Sequence, residues 1–195
     1  LLWIRKKEIE RYEEKMITDI NDHIIVKDNF FSEKIYKAIL FDISKLKFEN
    51  RNTTVNDDIK NIYQRVYFNV PLNRKHFAIQ ETINILNSYG LNVGKGEHNY
   101  FLSSSHEGAT IHKDEWKINC IVYIKGQNLM NSGTGFYDFD GEDKYDLRTH
   151  VGFRENRAII FDSKIYHSTT QFEKNSGTRY IIANFFDYKE KTNAK

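Results

Sequence analysis

Ala158-Ile159-Ile160-Phe161-Asp162-Ser163-Lys164-Ile165-Tyr166-His167 sets four consecutive apolar residues before a polar turn and brings a histidine out at its end. A short apolar run bounded by turn signals predicts a buried strand, here Ala158 to Phe161. Downstream, Glu173-Lys174-Asn175-Ser176-Gly177 is turn-like, and Arg179 opens the last strong strand, Arg179 to Phe186. Upstream, similar aromatic and β-branched runs are separated by Gly, Asn and Asp. They predict strands at Tyr100 to Ser104, Trp116 to Ile124, Gly135 to Phe139, Leu147 to Phe153 and, beyond the quoted stretch, His167 to Phe172. So many short strands between about Glu97 and Tyr188 imply a sandwich or barrel.

The first half has a different character. Ile9, Tyr12 and Met16 recur at helical spacing among alternating Lys and Glu, predicting an amphipathic helix from Leu2 to about Met16. A short strand is expected at His23 to Val26, and Ser32 with Glu33 should open a second helix carrying Ile35, Ile39 and Ile43. Residues 49 to 60 are almost devoid of apolar side chains and predict a surface loop. Tyr63 to Val70 is β-like and ends at the sole proline, Pro71. Phe77, Ile79, Ile83, Ile85 and Leu86 predict a third helix closing at Gly90.

At 195 residues, with 39% hydrophobic and 14% aromatic side chains, the chain should bury one core, and no linker or repeat divides it. The expectation is one domain over 1–195, with 1–96 as a helical and strand support region and 97–188 as the β core. A formal charge of +2, its lysines and arginines dispersed, gives no indication of a nucleic-acid partner. The single cysteine, Cys120, sits in an apolar run and should be a small core residue, which favours a reducing, cytoplasmic setting. Leu1-Leu2-Trp3-Ile4 is far shorter than a membrane span, so a soluble protein with no membrane partner is expected. Because the first residue is Leu rather than Met, further residues are expected to precede it.

Thr110-Ile111-His112-Lys113-Asp114 carries the chemistry. On extended backbone, residues two apart share a side, so the His112 imidazole and the Asp114 carboxylate can converge on one metal while Lys113 turns away. A third ligand from a separate strand would complete a facial set of two histidines and one carboxylate, the arrangement expected for non-haem Fe(II) oxygenases. The candidate is His167, 53 positions after Asp114. If the flanking strands form a hairpin about Lys174 and Asn175, Arg179 falls opposite residue 170, about 10 Å from His167 along the strand at roughly 3.3 Å per residue. That span suits a five-carbon dicarboxylate whose far end meets a guanidinium fork.

The stretch Gly108 to Phe186 resembles the 2-oxoglutarate and Fe(II)-dependent oxygenase superfamily, in particular its prolyl-4-hydroxylase-like branch and related phage and bacterial proteins. The resemblance rests on His112-Lys113-Asp114, Ile121-Val122-Tyr123-Ile124 and Ser132-Gly133-Thr134-Gly135-Phe136-Tyr137. It continues through Asn156 to Ser163, His167, and Gly177-Thr178-Arg179-Tyr180. It implies a mainly β fold with flanking helices: a double-stranded β-helix, or cupin-like jelly roll, with the N-terminal helices packed on one face. It further implies His112, Asp114 and His167 as catalytic iron ligands, Arg179 as the 2-oxoglutarate anchor, and O2 as co-reactant. The implied reaction turns 2-oxoglutarate into succinate and CO2 while a substrate C–H bond is hydroxylated, or a methyl group is removed oxidatively. The substrate would be a small molecule or a peptide. Where some members carry a hydroxyl two places after the anchoring arginine, this chain has Ile181, and Tyr100 or Tyr123 is the candidate replacement.

Other readings stand beside this one. His98, His106 and His112 could form a three-histidine zinc site, and His23, His76 and His150 fit surface or hydrogen-bonded roles. Arg157 suits either a substrate contact or a structural ion pair. Gly126 to His150, rich in Asp, Glu and Gly, suits a solvated loop or a lid. A non-enzymatic jelly-roll binding module would need no metal, and a cupin-type metal enzyme would ignore 2-oxoglutarate. The sequence leaves the substrate and the oligomeric state open.

Overall fold

The computed structural model describes residues 23–46, 49–50, 67–103, 111–128, 131–142, 144–170 and 179–189. The strands are β1 (Ile24–Lys27), β2 (Glu49–Asn50), β3 (Tyr67–Pro71), β4 (Val93–Ser103), β5 (Ile118–Lys125), β6 (Gly133–Phe139), β7 (Tyr145–Gly152), β8 (Arg157–Asp162), β9 (Tyr166–Thr169) and β10 (Arg179–Tyr188). Two helices, α1 (Glu33–Lys45) and α2 (Phe77–Ser88), complete the described elements. The expected helix before residue 17 and most of the 49–60 segment lie outside the described residues; Glu49–Asn50 pairs with β3 instead of belonging to a loop.

A seven-stranded sheet in the order β1-β8-β5-β10-β4-β3-β2 faces a three-stranded sheet, β7-β6-β9. Every pairing is antiparallel. This is the double-stranded β-helix, and both described helices pack against the outer face of the large sheet. The division expected at residue 96 falls inside β4, so the N-terminal half supplies strands to the same sheet as the β core.

One pairing departs from expectation. His167 and Arg179 do not lie on a shared hairpin: β9 belongs to the small sheet, whereas β10 runs between β4 and β5 in the large one. The reason is burial on both faces. Ile182, Asn184 and Phe186 turn toward the helices, and Arg179, Ile181, Ala183 and Phe185 turn inward. With both faces covered its backbone N–H and C=O groups are shut off from water, so the strand needs a hydrogen-bonded neighbour on each side, which β4 and β5 supply.

Sequence fixes the helix ends. The Ser32 hydroxyl accepts from the Ile35 N–H at the start of α1, and Glu33 in the first turn with Lys45 in the last complements the helix dipole. At the end of α2, Gly90 adopts φ 87° and the Leu91 N–H reaches the Leu86 carbonyl, a closure that glycine's left-handed freedom permits. Ile39, Ile43, Ile79 and Leu86 then bury into a core shared with Ile118, Cys120, Val122 and Ile182. Gly126 to His150, expected as a loop or lid, is mostly the β6–β7 hairpin.

His98 lies in that helix-side core, 3% exposed, with Nδ1 3.2 Å from Asn184 Oδ1. Burial pushes its pKa down to about 4, the Asn184 hydrogen bond opposing and the Arg74 charge adding to the shift. The imidazole is therefore neutral in the fold but charges in the unfolded chain below its ordinary value of about 6.5. Stability present above pH 6.5 should fall by on the order of 2–3 kcal/mol as the pH drops toward 4. Urea unfolding at pH 7 and pH 4.5 checks this, and His98→Gln should flatten the dependence.

Candidate metal centre

His112 and Asp114 lie on a short segment before β5 whose connection to the small sheet is one bridge. The His112 and His167 backbones exchange hydrogen bonds of 3.0 and 2.9 Å, which extends the sheet beyond β9. That bridge sets the two imidazoles side by side, with ring centroids 4.5 Å apart. His167 Nε2 lies 3.2 Å from Asp114 Oδ2 and His112 Nε2 lies 3.7 Å from Asp114 Oδ1.

Ligand atoms from all three residues fall within 4.8 Å of one another. Bonds of about 2.0–2.2 Å to one ion place ligand atoms within roughly 4 Å of each other, so small rotations close the set. The donor chemistry also fits. The His167 Nδ1–H donates to the Ile165 carbonyl at 2.9 Å, which orients the ring so that Nε2 is the nitrogen facing Asp114 and available to a metal. Burial disfavours the charged form of Asp114, but hydrogen bonds from His167 and Asn119 and the nearby imidazoles outweigh it, so the carboxyl is held below its usual range. Two imidazoles and one ionised carboxylate suit Fe(II) and other divalent first-row metals.

The cluster opens into a cavity of about 300 Å³ between the sheets. Its large-sheet wall includes Phe101, Ile121, Ile181, Ala183 and Phe185, and its small-sheet wall includes Thr134, Ser168 and Thr169. Arg179 also lines it, 5% exposed, its Nη1 donating to the Gly133 carbonyl at 3.3 Å and its guanidinium carbon 5.8 Å from the Tyr123 and Phe153 ring centroids. Gly133 is needed for close approach, because a Cβ there would collide with the Val151 carbonyl of β7.

Tyr100 is a correction. It pairs with Ile182 on the helix side of the large sheet, and its hydroxyl donates to Asp42 at 3.1 Å, so it cannot supply a hydroxyl to the cavity. Tyr123 is buried beside Arg179 and absent from the cavity wall; its hydroxyl lies 2.7 Å from Thr134 Oγ1 and 3.4 Å from the Val151 carbonyl. The hydroxyls of the lining itself come from Thr134, Ser168 and Thr169, which sequence reasoning did not single out. Thr134 and Thr169 are register partners on β6 and β9, a relation visible only once the strands are paired.

The remaining candidates separate cleanly. Arg157 grips Asp28 through Nε at 2.6 Å and Nη2 at 3.0 Å, and its Nη1 donates to the Gly152 carbonyl at 2.9 Å, a structural ion pair. His98 faces the helices and His112 the cavity, so they cannot share a zinc ion; His106 lies outside the described residues. His76 is 2.9 Å from Asp42, and His150 is 3.1 Å from Thr170.

No family model matches the sequence, and no curated protein matches it. Solved structures do match in fold. A prolyl hydroxylase from Trichoplax adhaerens, in complex with a hypoxia inducible factor oxygen degradation domain peptide fragment, is 14% identical with a TM-score of 0.61, over 94% of this chain and 92% of that one. HygX from Streptomyces hygroscopicus, with nickel and 2-oxoglutarate bound, is 10% identical with a TM-score of 0.61, over 92% and 87%. A Pseudomonas putida prolyl-4-hydroxylase is 10% identical with a TM-score of 0.56, over 87% and 95%. Identities this low carry the architecture and leave the chemistry to the site. The chain is a double-stranded β-helix, the fold it shares with these solved structures, with a His-Asp-His cluster in the cavity between its sheets.

Proposed function

We propose that this protein is an Fe(II)- and 2-oxoglutarate-dependent dioxygenase that hydroxylates a C–H bond, or oxidatively removes a methyl group, of a small-molecule or peptide substrate. The observation that carries the reading is one cavity lined by both the His112, Asp114 and His167 cluster and a buried arginine, Arg179. His112, Asp114 and His167 would hold the iron as a set of three protein ligands, the number expected where a cosubstrate must also reach the metal. Iron and 2-oxoglutarate, once bound, supply the oxidising chemistry, with succinate and CO2 as products.

The chain's own residues bind, orient and shield. Arg179 would receive the far carboxylate of the cosubstrate, held in place by the Gly133 carbonyl and flanked by the Tyr123 and Phe153 rings. Thr134, steadied by the Tyr123 hydroxyl, and Thr169 offer hydroxyls to the same end. Ile121, Ile181, Ala183 and Phe185 give an apolar wall that limits water around the reacting groups. Among the described residues no helix is long and apolar enough to cross a membrane.

Succinate release measured with added Fe(II), 2-oxoglutarate and O2 tests the proposal, since slow uncoupled turnover needs no substrate. Wild-type protein should release succinate only with Fe(II), and the His112→Ala, His167→Ala double variant should release none. Equal turnover by the double variant would refute the assignment.

A further inference from the structure

Asp114 lies outside regular strand structure, yet a ligand must be held within a fraction of an ångström. Lys164 Nζ donates to the Asp114 carbonyl at 3.0 Å, and apart from the two imidazoles the Asp114 carboxylate and N–H are held by two residues of the large sheet and its turn. The Asn119 side-chain amide donates to Asp114 Oδ2, and the Ser163 hydroxyl donates to Asn119 Oδ1 at 2.6 Å. The Ser163 carbonyl also accepts the Asp114 backbone N–H at 3.0 Å, while the Ser163 N–H donates to the Lys117 carbonyl at 3.2 Å. Asn119 and Ser163 are each fully buried.

The chemistry fixes the amide's orientation. An ionised carboxylate only accepts, so the amide must present its NH2 to Asp114, and Ser163 satisfies the oxygen left on the other side. Asn119 is register partner to Phe161 on β8 and Phe185 on β10, at the centre of the seven-stranded sheet. A polar amide inside the apolar run of β5 would cost about 1–3 kcal/mol if unpaired, so its place there requires the partners it has.

We infer that Asn119 is a positioning residue for the metal: with Ser163 it holds the Asp114 carboxylate through Oδ2 and so keeps it turned toward the two imidazoles. The inference rests on the metal site proposed above. Asn119 itself touches neither metal nor substrate.

Anaerobic titration of the purified protein with Co(II), followed by its visible absorption, reads both affinity and ligand geometry without turnover. Asn119→Ala should weaken Co(II) binding by about 10–100-fold, the usual effect of removing a group that orients a ligand, and should alter the Co(II) spectrum. Ser163→Ala, which leaves the amide in place, should shift both in the same direction by less. Asn184→Ala serves as the structural control, because that buried amide bonds His98 and the Cys120 carbonyl on the helix side; it should lower stability and leave the affinity unchanged. Affinities within twofold of wild type for both Asn119→Ala and Ser163→Ala would overturn the inference while leaving the metal site standing. A wild type that binds no Co(II) overturns both.

Discussion

Asp114→Ala is expected to lower succinate release at least about a thousandfold while the protein stays folded. The carboxylate is the one anionic group of the cluster and lies within 3.7 Å of both imidazole Nε2 atoms. Without it two neutral nitrogens remain, too weak a set to hold Fe(II), and metal catalysis is worth several kcal/mol of barrier, each 1.36 kcal/mol being about tenfold. The structural penalty is smaller and of a different kind. Removal of the carboxylate strands the Asn119 amide in a buried position, a loss of about 1–3 kcal/mol, and relieves the cost of keeping a charge partly buried. Activity should therefore collapse while the thermal midpoint moves by only several degrees. Turnover above about a tenth of wild type in this variant would remove Asp114 from the metal set and the proposed chemistry with it.

Much of the site was legible because it depends on local patterning. The two-residue spacing of His112 and Asp114 and the apolar runs around Ile160 and Ile182 are properties of strands that alternation reveals. The division into sheets was not local. The turn-like residues after Phe172 suggested a hairpin, yet β10 is drawn into the large sheet because both of its faces are buried, which reflects the rest of the molecule. His167 and Arg179 thus share a cavity across two sheets and not along one. Tyr100 failed for a related reason: its face follows from its register with Ile182, and a tyrosine next to an apolar run carries no mark of which side it takes. Asn119 left a signal that was passed over, an amide at the start of the run Ile118 to Ile124, where burial demands a partner.

Arg179→Leu should raise the KM for 2-oxoglutarate at least about a hundredfold and leave Fe(II) affinity unchanged. A carboxylate received by a guanidinium in a dry cavity forms paired, charge-assisted hydrogen bonds, and truncating one partner of such a buried pair costs about 2–5 kcal/mol. Arg179 is suited to this because it is preorganised: nearly fully buried, held at Nη1 by the Gly133 carbonyl and flanked by two rings, it has little freedom to lose on binding. Arg179→Lys, which keeps the charge and loses the fork, should fall between the two. The decisive comparison uses a 2-oxo acid lacking the far carboxylate. Wild type should discriminate against it by about the factor that Arg179→Leu loses toward 2-oxoglutarate, and the variant should barely distinguish the two acids, since the two changes remove the same interaction. If Arg179→Leu keeps its preference for the dicarboxylate, the anchor lies elsewhere in the cavity; if wild type turns over neither acid, the protein shares the barrel and the metal site but does not use 2-oxoglutarate.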